Sequence, residues 1–279
     1  MNEYIEIGVM NTLEIDRVTD HGLYLVSKSG EDVLLPNEYV TDDMKPASLI
    51  DVFIYTDSED RIIATTLKPK AMLDEFAYME VVDETGFGVF VDWGLPKNLL
   101  VPKGLQKIPL QIGMKSLFRV CLDEKSDRLI ASHKFSNYLS DDLSALHVNK
   151  KVTAIPYKKT PLGYKVIVDN LYDGMLYHNE IFQKIALGEK LEAYVKKIRD
   201  DKKLDISLQL TGSGNFDIAK EKVLEVLKKK GGFLPLNYKS SPDDVKEIFG
   251  LSKKSYKKAL TLLLEEGKIS LDERGMKLN

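Results

Sequence analysis

The chain has 279 residues, 43% of them hydrophobic and 30% charged, with a formal net charge of −3, a composition that belongs to a soluble globular chain and argues against disorder. Its single cysteine, Cys121, excludes an internal disulfide framework and points to a reducing compartment. The near-neutral total hides an asymmetry: residues 1–150 carry 15 Lys and Arg against 25 Asp and Glu, while residues 151–279 carry 25 against 18, so contact with a polyanion is expected of the second half.

In chain order, the N-terminus Met1-Asn2-Glu3-Tyr4-Ile5-Glu6 is acidic where a signal peptide would be basic, and no apolar run has bilayer length, so a cytoplasmic protein without membrane contact is expected. Alternating runs at Ile5 to Val9, Leu13 to Val18, Leu23 to Val26, Val33 to Leu35, Val52 to Tyr55 and Ile62 to Leu67 predict short strands of a closed antiparallel barrel over residues 1–67. Lys68-Pro69-Lys70 is a boundary. A second unit, 68–147, has strands at Ala77 to Val82, Gly88 to Val91, Leu99 to Val101, Gly113 to Leu122 and Leu129 to Ser132, and Phe135 to His147 is expected to be a helical connector. Cys121 sits in an alternating strand and is expected to be a buried, inert thiol. A third unit, 148–211, carries a basic hairpin, Lys158-Lys159-Thr160-Pro161.

Thr211-Gly212-Ser213-Gly214-Asn215 is expected to be a flexible linker. Beyond it the period changes from two to 3.6 over 215–279. Ala219, Val223, Val226 and Leu227 line one helical face; Ser241-Pro242-Asp243-Asp244 starts a second helix; Ser252 caps a third, with Tyr256, Leu260, Leu263 and Leu264 inside and Gly267 as its stop. Ile269 to Leu271 and Met276 to Leu278 form a hairpin around Asp272-Glu273-Arg274-Gly275. Three helices and a hairpin outline a winged helix.

The first three units are copies of one plan. From Gly22, Gly88 and Gly163, a downstream apolar strand reaches Pro36, Pro102 and Tyr177 at the same offset of 14 residues, and a basic residue follows at 39 or 40: Arg61, Arg128 and Lys203. Such constant offsets point to repeated small β domains. Aromatic groups on a strand with basic residues nearby are what single-stranded nucleic acid requires; Phe87 and Phe90 in the second unit and His21 and Tyr24 in the first supply them, whereas the third has Leu162 and Lys165. Trp93 and Tyr164 are expected to be structural. Lys253, Lys254, Lys257 and Lys258 on the third helix and Arg274 in the wing offer phosphate contacts, with Lys268 and Lys277 nearby and no side chain suited to reading bases. His21, His133, His147 and His178 have no metal-ligand spacing, no phosphate-binding glycine loop is present, and Asp200-Asp201 reads as a turn, so no enzyme, cofactor or metal is expected.

Gly-x-Phe-Val after a first strand, Leu-Val-Pro fourteen residues on and Asp-x-x-x-x-Arg before the last strand resemble the S1 RNA-binding domain, a five-stranded barrel of the oligonucleotide-binding type. Several such units followed by a winged helix are similar to the conserved virulence factor B family. The resemblance implies a multidomain, mainly β protein of three S1-like barrels and a small α+β winged helix, which binds single-stranded RNA and controls gene expression, virulence genes included. It implies RNA contacts at Phe87, Phe90, Pro102, Asp123 and Arg128; at His21, Tyr24, Pro36, Asp57 and Arg61; and at Tyr177, His178 and Lys203, with Arg199 close by. Two alternatives stay open: a regulator that binds DNA through the winged helix, and a scaffold whose acidic barrels bind protein or dock on a ribosome or polymerase.

Overall fold

The structure is a computed structural model in which residues 1–181, 183–210 and 214–279 are described. The chain groups into two compact units, Met1–Leu139 and Ser140–Asn279.

In the first unit, β1 (Met10–Thr19), β2 (Gly22–Val26), β3 (Asp32–Pro36), β4 (Leu49–Thr56) and β5 (Ile62–Thr65) close into a barrel of order β1-β2-β3-β5-β4. Inward residues Leu13, Ile15, Leu23, Leu25, Leu35, Val52, Ile54 and Ala64 are buried, as period-two alternation demands. The expected strand at Ile5 to Val9 does not form. Asn11 is almost wholly buried and its side chain accepts from the Glu6 N–H and donates to the Glu6 and Val9 carbonyls, so this polar group organises the segment into turns that leave no ladder to join.

β6 (Phe76–Glu84), β7 (Gly88–Asp92), β8 (Leu99–Pro102), β9 (Lys115–Leu122) and β10 (Leu129–Ser132) follow in the order β10-β9-β6-β7-β8. This second barrel is nearly closed, since β8 and β10 adjoin without being joined by a hydrogen-bonded ladder. The first two barrels share a core: Phe53 and Tyr55 of β4 pack edge-on against Trp93, with ring centroids 5.7 and 6.3 Å apart. Trp93 is 2% exposed and donates its indole N–H to the Lys97 carbonyl at 2.6 Å, which is the structural role expected of it. Cys121 is buried, and burial pushes its thiol up from the ordinary range. His133 is buried beside Phe118, where the Lys107 N–H donates to Nδ1 and Nε2 meets the Ser116 hydroxyl; burial lowers its pKa.

The connector is not helical. Only Ser136–Tyr138 form a short 3-10 turn. Beyond it, the Ser140 hydroxyl accepts from the Asp142 N–H and the Asp142 carboxylate from the Ser144 N–H, side-chain bonds that compete with a helical ladder. Leu143 and Leu146 instead pack on the third barrel. That barrel consists of β11 (Lys151–Thr160), β12 (Gly163–Val168), β13 (Tyr172–Tyr177), β14 (Leu191–Ile198) and β15 (Leu204–Ser207), closed in the order β11-β12-β13-β15-β14.

Of the expected linker, Thr211, Gly212 and Ser213 lie outside the described residues, whereas Gly214 and Asn215 already belong to α1 (Gly214–Lys229). α2 (Pro242–Phe249) opens with Ser241 and Asp244 in a reciprocal capping box and ends at Gly250 in the left-handed region. α3 (Lys253–Glu265) starts at the Ser252 cap. The small sheet contains, besides β17 (Ile269–Leu271) and β18 (Met276–Leu278), a strand the sequence pattern did not reveal, β16 (Phe233–Leu234), paired with β18. Ala219, Val223, Leu227, Val245, Phe249, Tyr256, Leu260 and Leu263 form its core.

Candidate nucleic-acid interface

The repeated offset of fourteen has a geometric cause. Gly22, Gly88 and Gly163 lie directly opposite Pro36, Pro102 and Tyr177 across their hairpins. In each, the carbonyl before the glycine accepts from the N–H after the opposed residue, at 3.1 Å from Asn37, 3.0 Å from Lys103 and 3.1 Å from His178. A side chain at the glycine would strike the backbone: a Cβ would lie 2.0 Å from the Leu35 carbonyl oxygen at Gly22, 2.4 Å from that of Val101 at Gly88 and 2.2 Å from that of Leu176 at Gly163. A threonine three residues earlier, Thr19, Thr85 or Thr160, donates its hydroxyl to the glycine carbonyl at 2.9, 3.1 and 3.0 Å. Six residues before each glycine the first strand bulges, at Asp16, Val82 and Tyr157. The threonine three residues before each glycine is a repeated sequence signal that the constant offsets alone did not include, whereas the bulges, at three unlike residues, show only in the strand register.

This framework sets the aromatic pair of the second barrel. On an ideal strand Phe87 and Phe90 would face opposite ways, but Phe87 precedes β7, in the turn tied down by Thr85 and the Lys103 N–H, and both rings emerge on the same side. Their centroids are 6.2 Å apart at 83°, and Phe87 is 61% exposed. Phe90 is half-buried, while Phe87 gains little from burial at that exposure and leaves a ring face open to a ligand. The rings form one wall of a cleft of about 240 Å³ whose other wall comes from the first barrel: Tyr55, Ser58 and Asp60.

Of the charged residues that the resemblance places together, Asp123 and Arg128 have different side-chain partners. Arg128 does not pair with Asp123. Its guanidinium donates to Asp60 of the first barrel at 2.5 Å, while Asp123 accepts from Ser126 within its own turn. Lys97 joins from the other side, donating to the Asp57 carbonyl at 2.6 Å with its ammonium 3.4 Å from Asp60. Pro102 sits opposite Gly88 and does not line the cleft. The turns before the last strands also share a feature the spacing could not show: Asp60, Asp127 and Lys202, each one residue before the basic position, have φ of 62°, 53° and 58°.

In the first barrel the candidates are dispersed. His21 is exposed, and Pro36 faces Gly22. Tyr24 has one ring face occupied by the Arg17 guanidinium, 4.1 Å from the centroid, itself held by Asp16 and Asp32. Arg61 is tied to Asp57 at 2.7 Å and Glu59 at 3.0 Å. Burial of Asp57 would raise its pKa, but hydrogen bonds from the Arg61 N–H and guanidinium and the Glu59 N–H outweigh it and hold the carboxylate below its usual range. Neighbours therefore occupy Tyr24 and Arg61 in part.

In the third barrel Leu162 and Lys165, at the positions of Phe87 and Phe90, line a groove of about 410 Å³ with Met175, Tyr177, Arg199 and Lys203. Leu162 is 67% exposed. Arg199 leans on Asp201 at 2.9 Å, and no ion pair involves Lys203 among the described residues. His178 points elsewhere, with its ring 5.8 Å from Tyr164 and Nε2 3.3 Å from the Thr160 carbonyl. Tyr177 and Lys203 thus come together, and His178 does not join them.

On the winged helix, Lys254, Lys257 and Lys258 are exposed and Lys253 is half-buried, in the first two turns of α3, with no ion pair to any of them among the described residues. Arg274 is exposed in the wing, where its N–H donates to Asp272. Lys268 is paired with Glu266. No helix in the described residues is long and apolar enough to cross a membrane.

Two family profiles match the chain, a CvfB-like winged helix domain over residues 221–278 and an S1 domain over residues 7–67. YitL of Bacillus subtilis is 31% identical over 94% of this chain and 90% of its own length. Conserved virulence factor B of Staphylococcus aureus is 25% identical over 96% of this chain and 95% of that protein. A solved multidomain protein with nucleic acid binding domains from Streptococcus pneumoniae is 28% identical, covers 98% of both chains and superposes with a TM-score of 0.40.

Proposed function

The chain belongs to the conserved virulence factor B family, and from that premise we propose that it is a non-catalytic protein that binds single-stranded RNA through its S1 barrels, assisted by the winged helix, and so affects gene expression. The name of the staphylococcal relatives ties them to virulence; the same output is proposed here. The observation that carries the RNA-binding reading is the Phe87–Phe90 pair, one ring exposed and the other half-buried, lining one cleft with Arg128: an aromatic face on which a base can stack, with a cation nearby for its phosphate.

Fluorescence-anisotropy titration of the intact protein against single-stranded RNA, single-stranded DNA and duplex DNA of equal length, at two salt concentrations, tests it. Single-stranded RNA is expected to bind most tightly and to remain bound at moderate salt. Duplex preference that disappears with salt would move the function to the winged helix, and no binding to any strand would leave a protein scaffold.

The lysines of α3 have a separate expected signature. Changing Lys253, Lys254, Lys257 and Lys258 to serine removes positive charge without touching the buried Tyr256, Ala259 and Leu260 of that helix. Each lost phosphate contact flattens the plot of log affinity against log salt by about 0.7 for a single strand. A slope unchanged in the variant would assign these lysines to solvation alone.

A further inference from the structure

We propose that the first barrel completes the base-binding cleft of the second, and that Asp60 makes this cleft select guanine in a single-stranded RNA; the inference rests on the RNA-binding reading above. Tyr55 and Trp93 pack in the core shared by the two barrels, so the wall carrying Ser58 and Asp60 is fixed relative to the wall carrying Phe87 and Phe90. A slot bounded on both sides takes one base that has left its stack and gives a paired helix no room. The aromatic wall accepts any base, since every base has a π-face. Discrimination must come from the polar groups at the edge.

Those groups form an ordered set. The Asp60 carboxylate touches Arg128 through Oδ2 and Lys97 through Oδ1, and a carboxylate offers about four acceptor sites, so it retains acceptors for a ligand while 40% of the side chain is exposed. Its cations hold it in place and supply donors immediately beside it. Guanine is the base whose Watson–Crick edge presents two neighbouring donors, N1–H and the 2-amino group, next to an acceptor, O6. The donors match the Asp60 oxygens, and O6 matches the adjacent Arg128 or Lys97. Adenine and cytosine offer one amino group, and uracil a single N3–H flanked by two carbonyl oxygens that the carboxylate repels. At the corresponding turn position the second barrel has Asp127 and the third Lys202, but only the Asp60 turn lies against a neighbouring barrel's aromatic pair among the described residues.

The test uses the intact protein and short uridine strands carrying one central guanine, adenine or cytosine, or none. The guanine strand is expected to bind about tenfold tighter than the all-uridine strand, the scale of one good bidentate contact. Asp60→Asn should bring the four strands within about twofold of one another while retaining affinity for uridine; asparagine suits the site because it tolerates the left-handed φ that Asp60 adopts. Phe90→Ala should weaken all four. The wild-type series needs no variant: binding without guanine preference overturns this inference and leaves RNA binding standing, whereas no binding to any strand overturns both. An Asp60→Asn protein that keeps the wild-type order of bases, or that tightens on all four strands alike with a steeper salt dependence, overturns it too, the latter by showing that Asp60 only neutralises Arg128.

Discussion

Gly22→Ala is expected to cost the first barrel on the order of 3–5 kcal/mol, the upper end of what a single substitution does. Two independent terms add. The residue sits at φ of +142°, where a Cβ is strained, and that Cβ would lie 2.0 Å from the Leu35 carbonyl oxygen. That oxygen belongs to β3, and β3 cannot retreat without losing the bond from Asn37 to the His21 carbonyl and the pairing on both sides of the hairpin. Two other glycines separate the terms. Gly30 has φ of +89° and nothing within 4 Å of a Cβ, so its alanine variant should show only the strain of the left-handed region, about 1–2 kcal/mol. Gly104 has open space and no such φ, and alanine there should be neutral or slightly stabilising. Trp93 is the only tryptophan and lies in the core shared by the first two barrels, so its fluorescence during denaturant unfolding reads this unit directly. A Gly22→Ala midpoint no lower than that of Gly30→Ala would remove the close approach as the reason for glycine at this position.

The same hairpin explains what was legible in the sequence. A residue and its cross-strand partner stay a fixed number of positions apart as long as the turn between them keeps its length, so Gly22 and Pro36, Gly88 and Pro102, and Gly163 and Tyr177 announce their pairing as a constant offset. Helix caps are local too, and Ser241 and Ser252 start α2 and α3 where they were expected. Arg61, Arg128 and Lys203 recur 39 or 40 residues after their glycines, and the carbonyl of each accepts from an N–H across the turn before the last strand, yet their side chains do different things. Arg61 stays with Asp57, Arg128 crosses to Asp60 of another barrel and Lys203 joins the groove of the third. Spacing fixes the backbone position and says nothing of a partner 68 residues away.

The misses have the same origin. Ser140, Asp142 and Ser144 suit a helix start and a chain of side-chain turns alike, and packing of Leu143 and Leu146 on the third barrel decides for the turns. Phe233–Leu234 is too short to show a period, and it is a strand because β18 lies beside it. The first-barrel wall of the Phe87–Phe90 cleft was invisible because its residues belong to a different copy of the repeat, and only the shared core around Trp93 brings them together.

Replacing Phe87 and Phe90 together by alanine is expected to weaken single-stranded RNA binding by about tenfold to several hundredfold, since a base stacked on an aromatic ring is worth about 1–3 kcal/mol and each 1.4 kcal/mol is a factor of ten. The fold should survive. Phe87 is 61% exposed and Phe90 half-buried, while the core behind them consists of Val89, Val91, Trp93 and Val101, so the Trp93 signal reports on the variant's integrity. Because no charge is removed, the salt dependence should keep its wild-type slope as the whole curve moves to weaker affinity. That combination distinguishes stacking from electrostatics: the lysine variant of α3 should change the slope, and the double alanine variant should change the intercept. Phe87 alone should carry less of the loss than Phe90, because Phe90 is set in the strand between Asp83 and Leu100 and is the more rigidly presented of the two. A folded double variant with undiminished affinity would mean that the exposed pair serves another partner, and the RNA-binding surface would then have to be sought on the basic groove of the third barrel and on α3.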